Sequence, residues 1–149
     1  MTTTDQVFCN VPLKLEITRK RMCDLICTCI EGGNSSWFQG IGAYILPDGI
    51  TKQDFVEGGP QAFEDWPPLY SAMTQENCKV SLIVEETVRE DRYSYTIEIG
   101  PEELKRGLEL MANNLEYRRH FLDFIEGNED CITADIFMQF VVYEEVVYC

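Results

Sequence analysis

Residues 18–37 read TRKRMCDLICTCIEGGNSSW, and this stretch decides the fold class. Thr18 can cap a helix, because its hydroxyl can accept from a free N–H of the first turn. Met22, Leu25, Ile26, Cys29 and Ile30 follow at i, i+3, i+4, i+7 and i+8, which puts all five on one helical face. Gly32 and Gly33 stop the helix by taking left-handed backbone without a Cβ clash. The spacing predicts a helix over 19–31. An acid (Glu31), two glycines and an indole (Trp37) then converge where that helix ends. One reading is a helix stop followed by a core tryptophan. The other is a place where open backbone and an aromatic face meet a ligand.

Working outward, Val11, Leu13, Leu15 and Ile17 alternate with Pro12, Lys14 and Glu16, the pattern of a half-buried strand at 11–17 with proline at its start or edge. A second strand is expected at 37–46, where Gly40 and Gly42 admit a close approach of backbone or ligand. Residues 47–78 carry Pro47, Pro60, Pro67 and Pro68 with Gly49, Gly58 and Gly59, so they read as a long loop. Phe55, Phe63, Trp66 and Tyr70 within it argue for a packed lid. Alternation at 79–86 and 92–99 around a short polar link, TVRED, predicts a hairpin. Gly100-Pro101-Glu102-Glu103 starts a helix over 101–114 with the stripe Leu104, Leu108, Met111 and Leu115. Two more helices are expected at 117–126 and at 134–145, the last capped by Thr133. The expected fold is α+β in one domain, 1–149: a mostly antiparallel sheet covered by three or four helices.

Composition bounds the function. Twenty-six acids against twelve bases give a formal net charge of −14, which repels phosphate backbones and anionic membranes and attracts a basic groove on another protein. Between Asp123 and Glu145 there are seven acids and no base. Seven cysteines, an odd number without a signal peptide, predict free thiols in a reducing cytoplasm. Cys23 and Cys29 should be the most buried and Cys149 the most exposed. Cys23, Cys27 and Cys29 invite a metal reading, but no C-x-x-C pair occurs and the one histidine, His120, is distant in sequence, so no metal is expected. His120 lies in YRRHF, where two arginines disfavour its charged form. No P-loop, G-x-G-x-x-G, H-E-x-x-H or nucleophile–base pattern is present, so no catalytic residue and no cofactor is assigned.

Two stretches, CIEGGNSSW (29–37) and GNEDCITADIFMQFVVYEEVVY (127–148), resemble a family of small acidic proteins of bacteriophages and prophages. Members carry an E-G-G-x-x-Y-W stretch after the first helix and a C-terminal A-D-x-x-x-Q…F-G-E-V-V-Y-G stretch. Between them lies a helix with a K-G motif, matched around Lys105-Arg106-Gly107. The matched positions include Glu31, Gly32, Gly33, Trp37, Asp130, Ala134, Asp135, Gln139, Glu145, Val146, Val147 and Tyr148. Three departures stand out: Ser36-Trp37 for Y-W, Tyr143-Glu144 for phenylalanine–glycine, and Cys149 for the final glycine. The resemblance implies origin rather than activity: a phage accessory protein in the cytoplasm of an infected bacterium, where such proteins counter host defence.

Two mechanisms follow. In the first-ranked, Glu85, Glu86, Glu90, Asp91, Asp123, Glu126, Glu129 and Asp130 imitate a phosphate backbone and fill the groove of a host nuclease or CRISPR effector. In the alternative, the protein sequesters a small signalling nucleotide: Trp37 stacks on a base, Gly32 and Gly33 give close backbone, Asp135 and Gln139 read base edges, and Arg19, Lys20 and Arg21 are the nearest cations. A structural or virion role is weaker, since nothing repeats. Glu31 and Gln139 are each polar in an apolar setting, so the two motifs are expected to meet, with the glutamine donating to the carboxylate under Trp37. That contact is either a buried clip or the floor of a pocket.

Overall fold

Helical and alternating patterns resolve into five α-helices and one three-stranded antiparallel sheet among the residues the computed structural model describes, 5–32 and 36–148. The order is α1 (Arg19–Glu31), β1 (Phe38–Ile45), α2 (Pro68–Met73), β2 (Lys79–Val88), β3 (Asp91–Ile99), α3 (Pro101–Asn113), α4 (Arg118–Ile125) and α5 (Cys131–Tyr143). The architecture is α+β, with one helix more than expected. The expectations for Gly33 and Cys149 fall outside the described residues.

The first helix forms as its sequence dictates. Thr18 Oγ1 accepts from the Arg21 N–H at 3.2 Å, and Met22, Cys23, Leu25, Ile26 and Cys29 are buried. Its end differs: Gly32 keeps right-handed backbone, with φ −68°, rather than the left-handed turn expected there.

The sheet runs β1-β2-β3, with Val80, Leu82, Val84 and Ile99 fully buried. Gly42 matters because Ser81 of β2 lies where its Cβ would be; the Ser81 hydroxyl accepts from Ala43 N–H and donates to Ala43 C=O. The hairpin is longer than its alternation suggested. Pairing continues to Val88↔Asp91, and Arg89 and Glu90 alone make the turn, with φ of 50° and 72°. A two-residue turn of this hand normally carries Asn-Gly or Asp-Gly, which is why RE gave no signal.

The strand expected at 11–17 is absent. These residues pair with nothing in the sheet, and Leu13 is 78% exposed. Alternation alone makes no strand: a ladder needs a neighbour, and neither edge of the sheet takes this segment.

The 47–78 segment is packed, with a 3-10 turn at Lys52–Phe55 and the short helix α2. Phe55 and Tyr70 are buried, and the Arg19 guanidinium lies 4.1 Å over the Phe63 ring while donating to Thr74 Oγ1 and the Ser71 carbonyl.

The centre of the helical layer is α5, which touches α1, α3, α4 and β3 and buries nine of its residues. A helix apolar all round belongs inside. Gly107 of α3 permits the close approach, since a Cβ there would run into Val141. The helix begins two residues before Thr133. Asp130 is the cap, accepting from the Thr133 N–H at 2.9 Å, so Thr133 supplies a first-turn donor to the cap and is not itself the cap. No helix among the described residues is long and apolar enough to cross a membrane.

α5 ends on Glu144 in left-handed backbone, φ 62°, a conformation that favours glycine. Left-handed backbone costs a non-glycine residue about 1 kcal/mol, and the Glu144 bridge to Arg106 at 3.3 Å is exposed and adds little. Glu144→Gly is therefore expected to raise unfolding stability by about 1 kcal/mol in urea titration. A loss of stability would contradict the assigned cap.

Candidate functional site

The two motifs meet, through a different acid from the one expected. Gln139 has no exposed surface. Its Nε2 donates to Asp135 Oδ2 and to the Tyr148 carbonyl, both at 2.8 Å. Its Oε1 accepts from the Val147 and Tyr148 N–H groups, also at 2.8 Å. The amide thus uses both donors and both lone pairs, and it holds residues 147–148 much as a neighbouring strand would. Asp135 Oδ1 accepts from Trp37 Nε1 at 2.8 Å, across 98 residues of chain. Asp135 reaches Gln139 because i and i+4 share a helical face.

Glu31 takes no part. It is exposed at the end of α1 and accepts from the Cys27 thiol at 2.8 Å. The expected Glu31–Gln139 contact is corrected accordingly: the glutamine does donate to a carboxylate tied to Trp37, but that carboxylate is Asp135. Gly32 lies near the start of α5, where its Cβ would stand 3.5 Å from that of Cys131. Trp37 is 2% exposed and packs edge-on against Tyr143 at 5.6 Å, so no ring face is free to stack on a base. Arg19, Lys20 and Arg21 are also engaged, with Thr74 and Ser71, with Asp24, and with Glu129. Base stacking is thus closed to Trp37, and Arg21 spends its charge on Glu129, while Lys20 remains largely exposed.

The network extends into the sheet. Tyr143 and Tyr148 both donate their hydroxyls to the Glu85 carbonyl, at 2.7 and 3.1 Å, while the Glu85 N–H donates to the Trp37 carbonyl. Burial, with Tyr148 close by, pushes the Tyr143 phenol well above its usual range.

The eight acids nominated for a partner divide by role. Glu85 accepts from Gln39 and faces Arg92 at 3.5 Å. Glu129 is held by Arg21 at 2.7 Å with its side chain only 10% exposed, and Asp130 caps α5. Glu86, Glu90, Asp91, Asp123 and Glu126 form no ion pair among the described residues, and of these Glu86, Glu90, Asp91 and Glu126 are exposed. The free acids thus gather at the hairpin tip and the α4–α5 corner.

Of the described cysteines, Cys23 is among the most buried as expected, but its equal is Cys78 rather than Cys29: both have no exposed surface, and Cys29 keeps 7%. Burial and the Glu31 carboxylate push the Cys27 thiol up to about 11, which makes it a poor nucleophile. Among the described residues no group of three His, Cys, Asp or Glu is placed to hold a metal ion.

A cleft of about 400 Å³ opens beside the clip, lined by Tyr117, Arg119, His120, Ile132, Asp135 and Tyr148 among others. His120 is 92% buried, and its Nδ1 lies 3.2 Å from Thr133 Oγ1. Burial, then Arg119, holds its pKa below the ordinary value. The sequence assigned His120 no catalytic or metal-binding role and gave Arg119 and Tyr148 no part in a site. The available signal was YRRHF, a cation and an imidazole on one turn, but only the fold brings α5 and the tail around them.

No protein-family model, curated protein or solved structure matches the chain.

The site's titrating groups give stability two separable acid dependences. The folded pKa of His120 is lowered, so its contribution is complete above about 6.5 and declines as pH falls below that. Burial alone would raise Glu129, but the Arg21 hydrogen bonds outweigh it and hold the carboxyl below its usual range. Backbone hydrogen bonding from Thr133 does the same for Asp130. Those contributions are lost below about pH 4. In melting curves against pH, His120→Asn should abolish the decline that begins near 6.5 and keep the one below 4, and Glu129→Gln should weaken only the second. A Glu129→Gln profile identical to the parent's would refute the assigned pair.

Proposed function

We propose that the protein is a non-catalytic phage accessory protein that inhibits a bacterial defence system by docking its acidic surface on a basic, nucleic-acid-handling host protein, a nuclease or CRISPR effector. On this reading it works in the cytoplasm of the infected bacterium and binds no nucleic acid itself. The observation that carries the reading is the set of exposed, unpaired acids at the end of the β2–β3 hairpin, Glu86, Glu90 and Asp91, on a chain of net charge −14. The hairpin is exposed from Glu86 to Thr96, and its acids are spent on no fold contact. Negative charge on such a projection fits a groove built for phosphates. Glu85, Glu129 and Asp130 are left out of the docking set, because each already serves the fold. Further support comes from the resemblance of the two terminal motifs to phage proteins.

The test uses a panel of purified restriction nucleases and CRISPR effectors. An inhibited target is expected, with an association rate that falls about tenfold as salt rises from about 0.05 to about 0.5 M. Glu86→Lys, Glu90→Lys and Asp91→Lys together should abolish inhibition at unchanged melting temperature. Inhibition that ignores both salt and these substitutions would overturn the reading.

A further inference from the structure

The cleft between α4, the first turns of α5 and the C-terminal tail presents two groups that the fold does not use, the Arg119 guanidinium and one nitrogen of His120. Arg119 is exposed on its rim and makes no ion pair among the described residues, although acids outnumber bases two to one in this chain. His120 is 92% buried with one ring nitrogen toward Thr133, and its other nitrogen has no partner among the described residues. That nitrogen is not sealed from solvent either, since no buried side-chain nitrogen or oxygen lacks a hydrogen bond. It therefore opens on the cleft that its residue lines. The walls are aromatic and aliphatic: Tyr117, whose ring is near-parallel to the imidazole (29°, 6.4 Å between centroids), Tyr148, Ile132 and Ile136. Asp135 shares the lining, but both its oxygens are turned to Trp37 and Gln139.

We infer that this cleft binds a small aromatic anion: a flat ring held between Tyr117 and Tyr148, hydrogen-bonded to the free nitrogen of His120, with its carboxylate or phosphate on Arg119. The volume, about 400 Å³, is that of a small-molecule site. A planar guanidinium fits either anion by paired hydrogen bonds. An apolar, aromatic enclosure with two converging polar groups selects a ring with one charged end over inorganic phosphate alone. Were the phosphate source the natural one, small-nucleotide capture would belong to this cleft and not to Trp37 and Gln139. The inference is independent of the acidic docking surface, which shares no residue with the cleft.

The full chain is titrated by calorimetry with two arms of probes. One arm is the four nucleoside monophosphates, with adenosine and inorganic phosphate as controls for ring and anion. The other is benzoate and indole-3-acetate, with indole as control. Saturable binding at a Kd of about 1 mM or tighter is expected in at least one arm, and the arm that binds identifies the source. Adenosine, indole and inorganic phosphate should each bind at least about tenfold more weakly. Arg119→Ala should weaken binding about tenfold at unchanged melting temperature. Ile132→Trp, at a position 59% exposed, should fill the cleft and abolish it. No saturable binding in either arm, or binding that survives both substitutions, overturns the site. Neither result bears on inhibition through Glu86, Glu90 and Asp91, so the two failures are distinguishable.

Discussion

Gln139 sits at the middle of α5 with no exposed surface, between Met138 and Phe140, which are also buried. A primary amide so placed costs about 1–3 kcal/mol for each group left unpaired, and here all four of its hydrogen bonds are made. The partners come from separate parts of the chain: one turn earlier on the same helix, and the tail that follows it. Through Asp135 the network takes in Trp37 at the head of β1, and through Tyr148 and Tyr143 it takes in Glu85 of β2. One polar side chain in a buried helix thus sets where the first helix hands over to the sheet and where the chain ends. Remove it, and α5 could rotate or slide against apolar neighbours with little to specify its position; fully satisfied buried polar groups supply that uniqueness.

That constraint also explains which functional readings survive. The residues that look most like a ligand site in the sequence, Trp37, Asp135 and Gln139, are those the network consumes. What remains for recognition lies outside it: free acids at the hairpin tip, and an arginine and an imidazole nitrogen in the cleft beside Asp135. Conspicuous motif residues carry the fold, and the groups it leaves unengaged belong to less conspicuous neighbours.

The local patterns were legible. Thr18 and the five-residue apolar stripe gave α1 to the residue, and the alternation from Lys79 and from Arg92 gave both hairpin strands. Failures arose where a tertiary partner decides the outcome. Residues 11–17 have a strand's alternation and no ladder to join. Arg89-Glu90 takes a turn whose conformation its residues do not advertise. In the candidate site, the need of Gln139 for a carboxylate was readable from its apolar flanks, and so was its meeting with Trp37. The identity of the acid was readable as well, and the expectation of Glu31 passed it over: Asp135 stands four residues before Gln139, on the same face of the helix that holds the glutamine. His120 and Arg119 line a common cleft only because the tail returns over α5, an arrangement no local pattern encodes.

The central claim is that the Gln139 amide joins α5, Trp37 and the tail. The most direct measurement is urea unfolding of Gln139→Met, with amide hydrogen exchange at Val147 and Tyr148 followed in parallel. Methionine keeps the volume and removes every hydrogen bond. The account predicts a loss of about 3 kcal/mol, because Asp135 and the tail amides lose a buried partner, together with loss of exchange protection at both tail residues. A loss under about 0.5 kcal/mol with protection retained would contradict it, and would mean that the tail and α5 are held by apolar packing alone.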